Sequence, residues 1–171
     1  MSRAAPLLLL LVCACVARPN RTEPKWAMTP ATRAETTVKM HDITVPETGV
    51  ECGKRELLRV RNFNATVERE LWESGFEILK AEDDPVDGHH VDAHVEIAKL
   101  DCRDALRGDL TLTIERDRTE LAKAHREGVI FSNFRVAANQ LVDDILMSES
   151  FVAKLTSPVA TSSTSTVTPG G

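Results

Sequence analysis

The sequence predicts an α+β fold: a two-layer sandwich whose largely antiparallel sheet of four or five strands carries two helices on one face. Three observations predict it. Val91, Ala93, Val95 and Ile97 alternate with polar residues, as do Leu110, Leu112 and Ile114, which is the mark of strands with one buried and one wet face. Val60, Phe63, Val67 and Leu71 repeat at helical spacing, and so do Phe134, Ala138, Leu141 and Ile145. The whole reads β-α-β-β-β-(β)-α, an order that a sheet covered on one side by helices accommodates.

Each element has its own warrant. Residues 36–45 (TTVKMHDITV) are β-branched and partly alternating and stop at Pro46 and Gly49, a strand. A helix lies within Lys54 to Ser74, with Gly75 placed as its C′ glycine; Asn62 and Asn64 are rival N-caps that would shorten it. Trp72 falls near its end and is expected at the edge of the core. Phe76 to Lys80 is a short strand closed by Asp83-Asp84-Pro85 and the Asp87-Gly88 turn. For 119–127 (TELAKAHRE), propensity favours a short helix with Asp117-x-x-Glu120 as capping box, and the meander favours a further strand. The strand is the preferred reading. A last amphipathic helix spans about Asn133 to Met147, burying Phe134, Ala138, Leu141, Ile145 and Leu146 with Asp143 and Asp144 outside. Ser148 is expected to cap a final turn holding Phe151 and Leu155.

The first seventeen residues carry a different message. Arg3 precedes an apolar run from Ala4 to Val12. Nine helical residues cover only about 14 Å, roughly half of a bilayer's hydrocarbon, so the run reads as a signal peptide rather than a span. It ends in Val12-Cys13-Ala14-Cys15, which resembles a bacterial lipobox. Cleavage before Cys15 would leave a cysteine bearing diacylglycerol. The alternative is an ordinary cut after Ala17, and both readings export the protein. The expected organisation is therefore a signal peptide at 1–14, a lipidated tether at 15–33, an α/β domain at 34–155 and a disordered tail at 156–171. The tether is rich in proline, and the tail (TSPVATSSTSTVTPGG) has almost nothing to bury. Asn20-Arg-Thr and Asn64-Ala-Thr match the N-glycan sequon, a tripeptide that arises easily by chance.

Composition narrows the function. The 171-residue chain has a formal charge of −5 and no tyrosine. The acid excess disfavours nucleic acid and gives no reason for direct adhesion to anionic lipid. Scarce aromatics argue against a paratope-like surface or a sugar groove. Of four cysteines, Cys13 leaves with the signal and Cys15 takes lipid, so Cys52 and Cys102 remain to pair in an oxidising compartment; two buried thiols are the alternative. No G-x-S-x-G, S-x-x-K, H-E-x-x-H or phosphate-cradling glycine loop occurs, and the expected protein is not an enzyme.

One cluster stands out, Asp87-Gly-His89-His90-Val-Asp92-Ala-His94-Val-Glu96. On a strand, His90, Asp92, His94 and Glu96 share a face at about 7 Å intervals. His90, Asp92 and His94 are the candidate Zn²⁺ ligands, with Glu115 or a partner subunit completing the set, since one strand rarely supplies more than two ligands. The plainer reading, which is preferred, is the polar outer side of a half-covered sheet and no cofactor. The charge-rich stretch 115–126 reads as a solvated edge that discourages sheet-to-sheet pairing.

The layout resembles small outer-membrane lipoproteins of Gram-negative bacteria. Leu71 to Leu79 (LWESGFEIL) is similar to the helix-to-strand join of lipopolysaccharide-assembly and TolB-N-terminal-like lipoproteins, and Leu141 to Ser148 (LVDDILMS) to the close of similar envelope helices. The resemblance implies a lipid-anchored binding or assembly module of the outer membrane, facing the periplasm, with an envelope-protein partner. Val16 after Cys15, rather than aspartate, favours the outer membrane by the enterobacterial sorting rule. A soluble periplasmic or secreted protein, binding metal through the His89–His94 cluster, is the alternative.

Overall fold

The computed structural model describes residues 25–45, 52–79, 83 and 89–157. The signal peptide, Cys15, the Asp87-Gly88 turn and residues 158–171 lie outside the described residues. The elements are α1 (Pro30–Ala34), β1 (Thr36–Met40), α2 (Lys54–Glu73), β2 (Glu77–Leu79), β3 (His89–Asp101), β4 (Arg107–Arg116), β5 (Thr119–Ile130), α3 (Phe134–Leu146) and α4 (Glu149–Thr156). The five strands form one mixed sheet in the order β2-β1-β3-β4-β5. The long strands β3, β4 and β5 pair antiparallel, while β1 runs parallel to both β2 and β3. α2 makes this possible, because neighbouring parallel strands such as β1 and β2 need a crossover.

Local chemistry sets the boundaries. α2 runs unbroken from Lys54, so neither Asn62 nor Asn64 caps it. It ends in a Schellman motif: Gly75 takes φ +100°, its N–H donates to the Trp72 carbonyl at 2.9 Å, and the Phe76 N–H donates to that of Leu71 at 3.2 Å. Between β4 and β5 the chain turns through Asp117 and Arg118, at φ 51° and 63°. Two residues in the left-handed region make a tight hairpin. Asp117 is thus a turn residue rather than a capping-box member. Residues 119–127 are strand because Ala122 and Ala124 fall opposite Ile114 and Leu112, a pairing that overrides local helix propensity. Ser148 caps α4 as expected, accepting from the Phe151 N–H at 3.3 Å.

One hydrophobic core lies between the sheet and the helices. Val91, Ala93, Val95 and Ile97 of β3 and Leu110, Leu112 and Ile114 of β4 face Val60, Phe63, Val67 and Leu71 of α2 and Ala138, Leu141 and Ile145 of α3. Phe63, Phe131 and Phe134 form an aromatic trio with centroids 5.3–5.9 Å apart, Phe131 meeting both others edge-on. Inside the α2–α3 seam, the buried Glu70 carboxylate accepts from Arg135 Nε and Asn139 Nδ2, each at 3.0 Å. Cys52 and Cys102 are joined as a disulfide that ties the entry to α2 to the loop after β3.

Two expectations are corrected. Residues 25–33 are not tether: Met28 is only 1% exposed, the Trp26 indole donates to Asp143 at 3.2 Å, and Arg33 lies 4.6 Å over its ring. Aromatic and thioether burial against α3 pulls the domain boundary back past residue 34. Trp72 is not at the core edge but 64% exposed. It lies 100° around the helix from the buried Leu71, which turns it to solvent.

Candidate functional site

The described helices cover one face of the sheet, and β3 fixes what the other displays. Its apolar residues go to the core, so His90, Asp92, His94 and Glu96 project outward. Register brings neighbours beside them. Lys39, Asp92 and Glu115 form one row across β1, β3 and β4; His94, Thr113 and Lys123 form the next; Glu96, Thr111 and His125 form a third.

The centre of this face is Asp92. His41 Nε2 donates to Asp92 Oδ1 at 2.7 Å, and His90 Nε2 lies 3.8 Å from the same oxygen. The rings of His41 and His94 stack, with centroids 4.3 Å apart and planes 17° from parallel. His94 Nε2 lies 3.9 Å from Glu115 Oε2. The other nitrogen of His90 meets the Thr37 hydroxyl at 3.4 Å. Three imidazoles and two carboxylates thus form a half-exposed network, with the Asp92 side chain 29% exposed. His125 makes a separate pair with the Thr111 hydroxyl at 3.0 Å.

His41 is held from both layers. Its N–H donates to the Ala93 carbonyl at 3.0 Å, continuing the β1–β3 ladder beyond Met40. Its carbonyl accepts from the Asn64 amide of α2 at 2.9 Å, which engages the only described sequon asparagine in a structural role.

The structure therefore places His90, Asp92 and His94 on one face, as the alternation requires, but pairs them differently. Asp92 is addressed by His41 and His90, whereas His94 turns to Glu115. Among the described residues no three His, Cys, Asp or Glu side chains are disposed to hold a metal ion. Sequence reasoning missed His41 because it lies inside a strand-like run whose register against β3 only the fold reveals. Glu115 stands opposite Asp92 in register and within 3.9 Å of His94.

The strongest carboxyl perturbations lie at the far end of the sheet. Arg103, bonded to Asp101 through side chain and backbone, lowers that carboxyl to about 2. Asp109 is lowered by Lys99 Nζ at 2.9 Å and by the Gly128 N–H at 2.8 Å. Lys99 and Gly128 both take positive φ, so this ion pair pins two irregular points of the meander. An open groove of about 340 Å³ on the helix side, lined by Asn133, Arg135, Val136, Asn139 and Gln140, contains no base–nucleophile pair.

No family model and no curated protein matches this chain. Among solved structures it is similar to a Xanthomonas campestris protein described under the family model DUF330, at 10% identity and a TM-score of 0.36, over 74% of this chain and 91% of that one. It is also similar to a neuraminyllactose-binding hemagglutinin homolog from Helicobacter pylori, at 12% identity and a TM-score of 0.32, over 72% and 88% of the two chains. At those scores neither likeness bears on what this chain binds.

Proposed function

We propose that this chain is a non-enzymatic binding module of the bacterial envelope, held at the outer membrane by lipid on Cys15 and presenting the open face of its sheet to a protein partner. The observation that supports it most is that face: three rows of polar side chains around the His41–Asp92–His90 network, left uncovered by the described helices. A sheet face with charged and imidazole groups at fixed spacing offers a partner oriented hydrogen bonds on a rigid support. Lipid anchoring favours such a module physically, since confinement raises the effective concentration of weak partners.

The test is a pair of measurements. Intact mass of the mature protein should equal residues 15–171 plus a diacylglyceryl or triacyl group. A photo-crosslinking residue at Thr113 should give a single discrete adduct in envelopes, lost on Glu96→Lys with Glu115→Lys. A bare mass starting near Arg18 would remove the anchor, and adducts indifferent to those charges would remove the docking face.

A second reading, metal binding through His90, Asp92 and His94, draws only on the approach of His90, with His41, to Asp92 Oδ1, and would require His94 to turn from Glu115. It requires stoichiometric Zn²⁺ or Cu²⁺ binding by calorimetry that His90→Ala and His94→Ala abolish with the fold intact.

A further inference from the structure

α2 has a second face that the core does not use. Leu58, Arg61, Asn62, Ala65, Arg69 and Trp72 recur at i, i+3, i+4, i+7, i+11 and i+14, and all six are exposed. At 100° per residue they share one stripe, centred opposite Val60, Phe63, Val67 and Leu71. Leu58 is 59% exposed and Trp72 64%. A lone surface leucine means little, but a mostly exposed tryptophan in a protein with only two is a costly thing to leave in water. The stripe contains two arginines and no acid, on a chain whose formal charge is −5. Arg69 lies 4.0 Å from Glu70 and Glu73 at its border, a loose pairing that leaves its side chain 49% exposed.

We infer that this stripe rests on an anionic lipid surface. Leucine and tryptophan at its two ends would enter the headgroup region, where an amphipathic indole is favoured, and the two arginines between them would meet lipid phosphates. The net negative charge, which argued against adhesion, hides a local surface of the opposite character. Arg33 packs against Gly75, directly after α2. The chain therefore enters the domain beside the Trp72 end of the stripe. Trp26 lies eleven residues beyond Cys15, so that even the covalent limit of about 38 Å keeps that end near any bilayer holding the lipid. The helices cover one side of the sheet, so with α2 on the membrane the Asp92 face points away from it, toward a partner. The inference rests on the anchoring reading for its membrane, and the test separates the two.

Full-length Trp26→Phe protein leaves Trp72 as the sole tryptophan. It is prepared with Cys15 intact and as Cys15→Ala, then mixed with phosphatidylethanolamine vesicles containing brominated phosphatidylglycerol, or with brominated phosphatidylcholine alone. Trp72 emission should shift to the blue and be quenched on the anionic vesicles in both forms, and much less on phosphatidylcholine. Arg61→Glu with Arg69→Glu should weaken partitioning of the Cys15→Ala form by about tenfold or more, and added salt should act in the same direction. If Trp26→Phe fails to fold, the difference between the natural chain and Trp72→Phe isolates the same signal. Unchanged Trp72 emission in lipidated protein held on the anionic vesicles would overturn the inference and leave the anchor standing. A bare mature mass with Trp72 still quenched would overturn the anchor and leave the stripe standing. Equal quenching on both vesicle types would remove the charge argument and overturn the anionic assignment.

Discussion

Glu70 and Asp92 are both carboxylates held by nitrogen donors, yet they sit in opposite situations. Glu70 is 2% exposed in the α2–α3 seam, with Arg135 on one oxygen and Asn139 on the other. Asp92 stands on the open sheet face with a side chain 29% exposed, and His41 and His90 both address its Oδ1. Burial of an ion without partners costs several kcal/mol, so Glu70 has to be satisfied within the fold. Asp92 keeps access to water and tolerates a changed partner. The first arrangement holds two helices together, and the second leaves chemistry available to a visitor.

The helix side should therefore dominate stability. The largest loss is expected from Cys52→Ser with Cys102→Ser. Releasing a loop with a sequence separation of 50 residues removes about 4 kcal/mol by the chain-entropy account. Denaturant unfolding of oxidised protein against the double variant reads this directly, and an unchanged midpoint would show that packing alone fixes the entry to α2. Arg135→Ala comes next. It leaves the buried Glu70 with Asn139 and only a long 4.0 Å approach from Arg69, and should cost about 3 kcal/mol. Glu70→Gln in the Arg135→Ala background should recover part of that loss, because a neutral amide at the same place needs no cation. Failure to recover would mean that Arg135 contributes through its packing.

On the sheet side the same kind of change should barely register in stability. His41→Ala and Asp92→Asn remove a half-exposed hydrogen bond, for which about 0.5–1 kcal/mol is the expected range. Both should instead reduce partner crosslinking from Thr113. A loss of stability as large as that of Arg135→Ala would erase the distinction between the two carboxylates and recast the face as structural.

The two regions also differ in how far the sequence reveals them. Helical spacing exposed the core side of α2 and α3 residue by residue, because burial imposes a period that only a helix satisfies. Alternation did the same for β3 and β4, and the outward set His90, Asp92, His94 follows from it. What alternation cannot supply is which strand lies beside which, or whether it runs parallel. His41 belongs to the site only because β1 pairs with β3 so that Thr37 meets His90 and Lys39 meets Asp92. Trp72 shows the limit from the other direction. Scarcity and size suggested burial, but its angle on α2 had already placed it outside, where position outweighs hydrophobicity. The tether was misjudged at Met28 because short irregular segments have no period to betray their docking.

Acid offers the finest separation of fold from site. Asp101 and Asp109 have folded-state carboxyls lowered from the ordinary value of 3.8, the former to about 2. Protons then bind the unfolded chain more readily than the folded one, so the stability these groups add is fully present above the ordinary carboxyl range. It is lost as pH falls below the ordinary carboxyl value through their lowered folded values, which for Asp101 is about 2. Asp101 is exposed beside Arg103, so solvent screens its share. Asp109 bridges Lys99 and the Gly128 N–H at the bulged strands and should carry more of the slope. Asp109→Asn is therefore expected to flatten the acid limb of a stability–pH curve while leaving Thr113 crosslinking at neutral pH unchanged. An acid limb as steep as the natural chain's would place the proton-sensitive groups elsewhere. Lost crosslinking would mean that the bulge, far from being a local pin, shapes the face around Asp92.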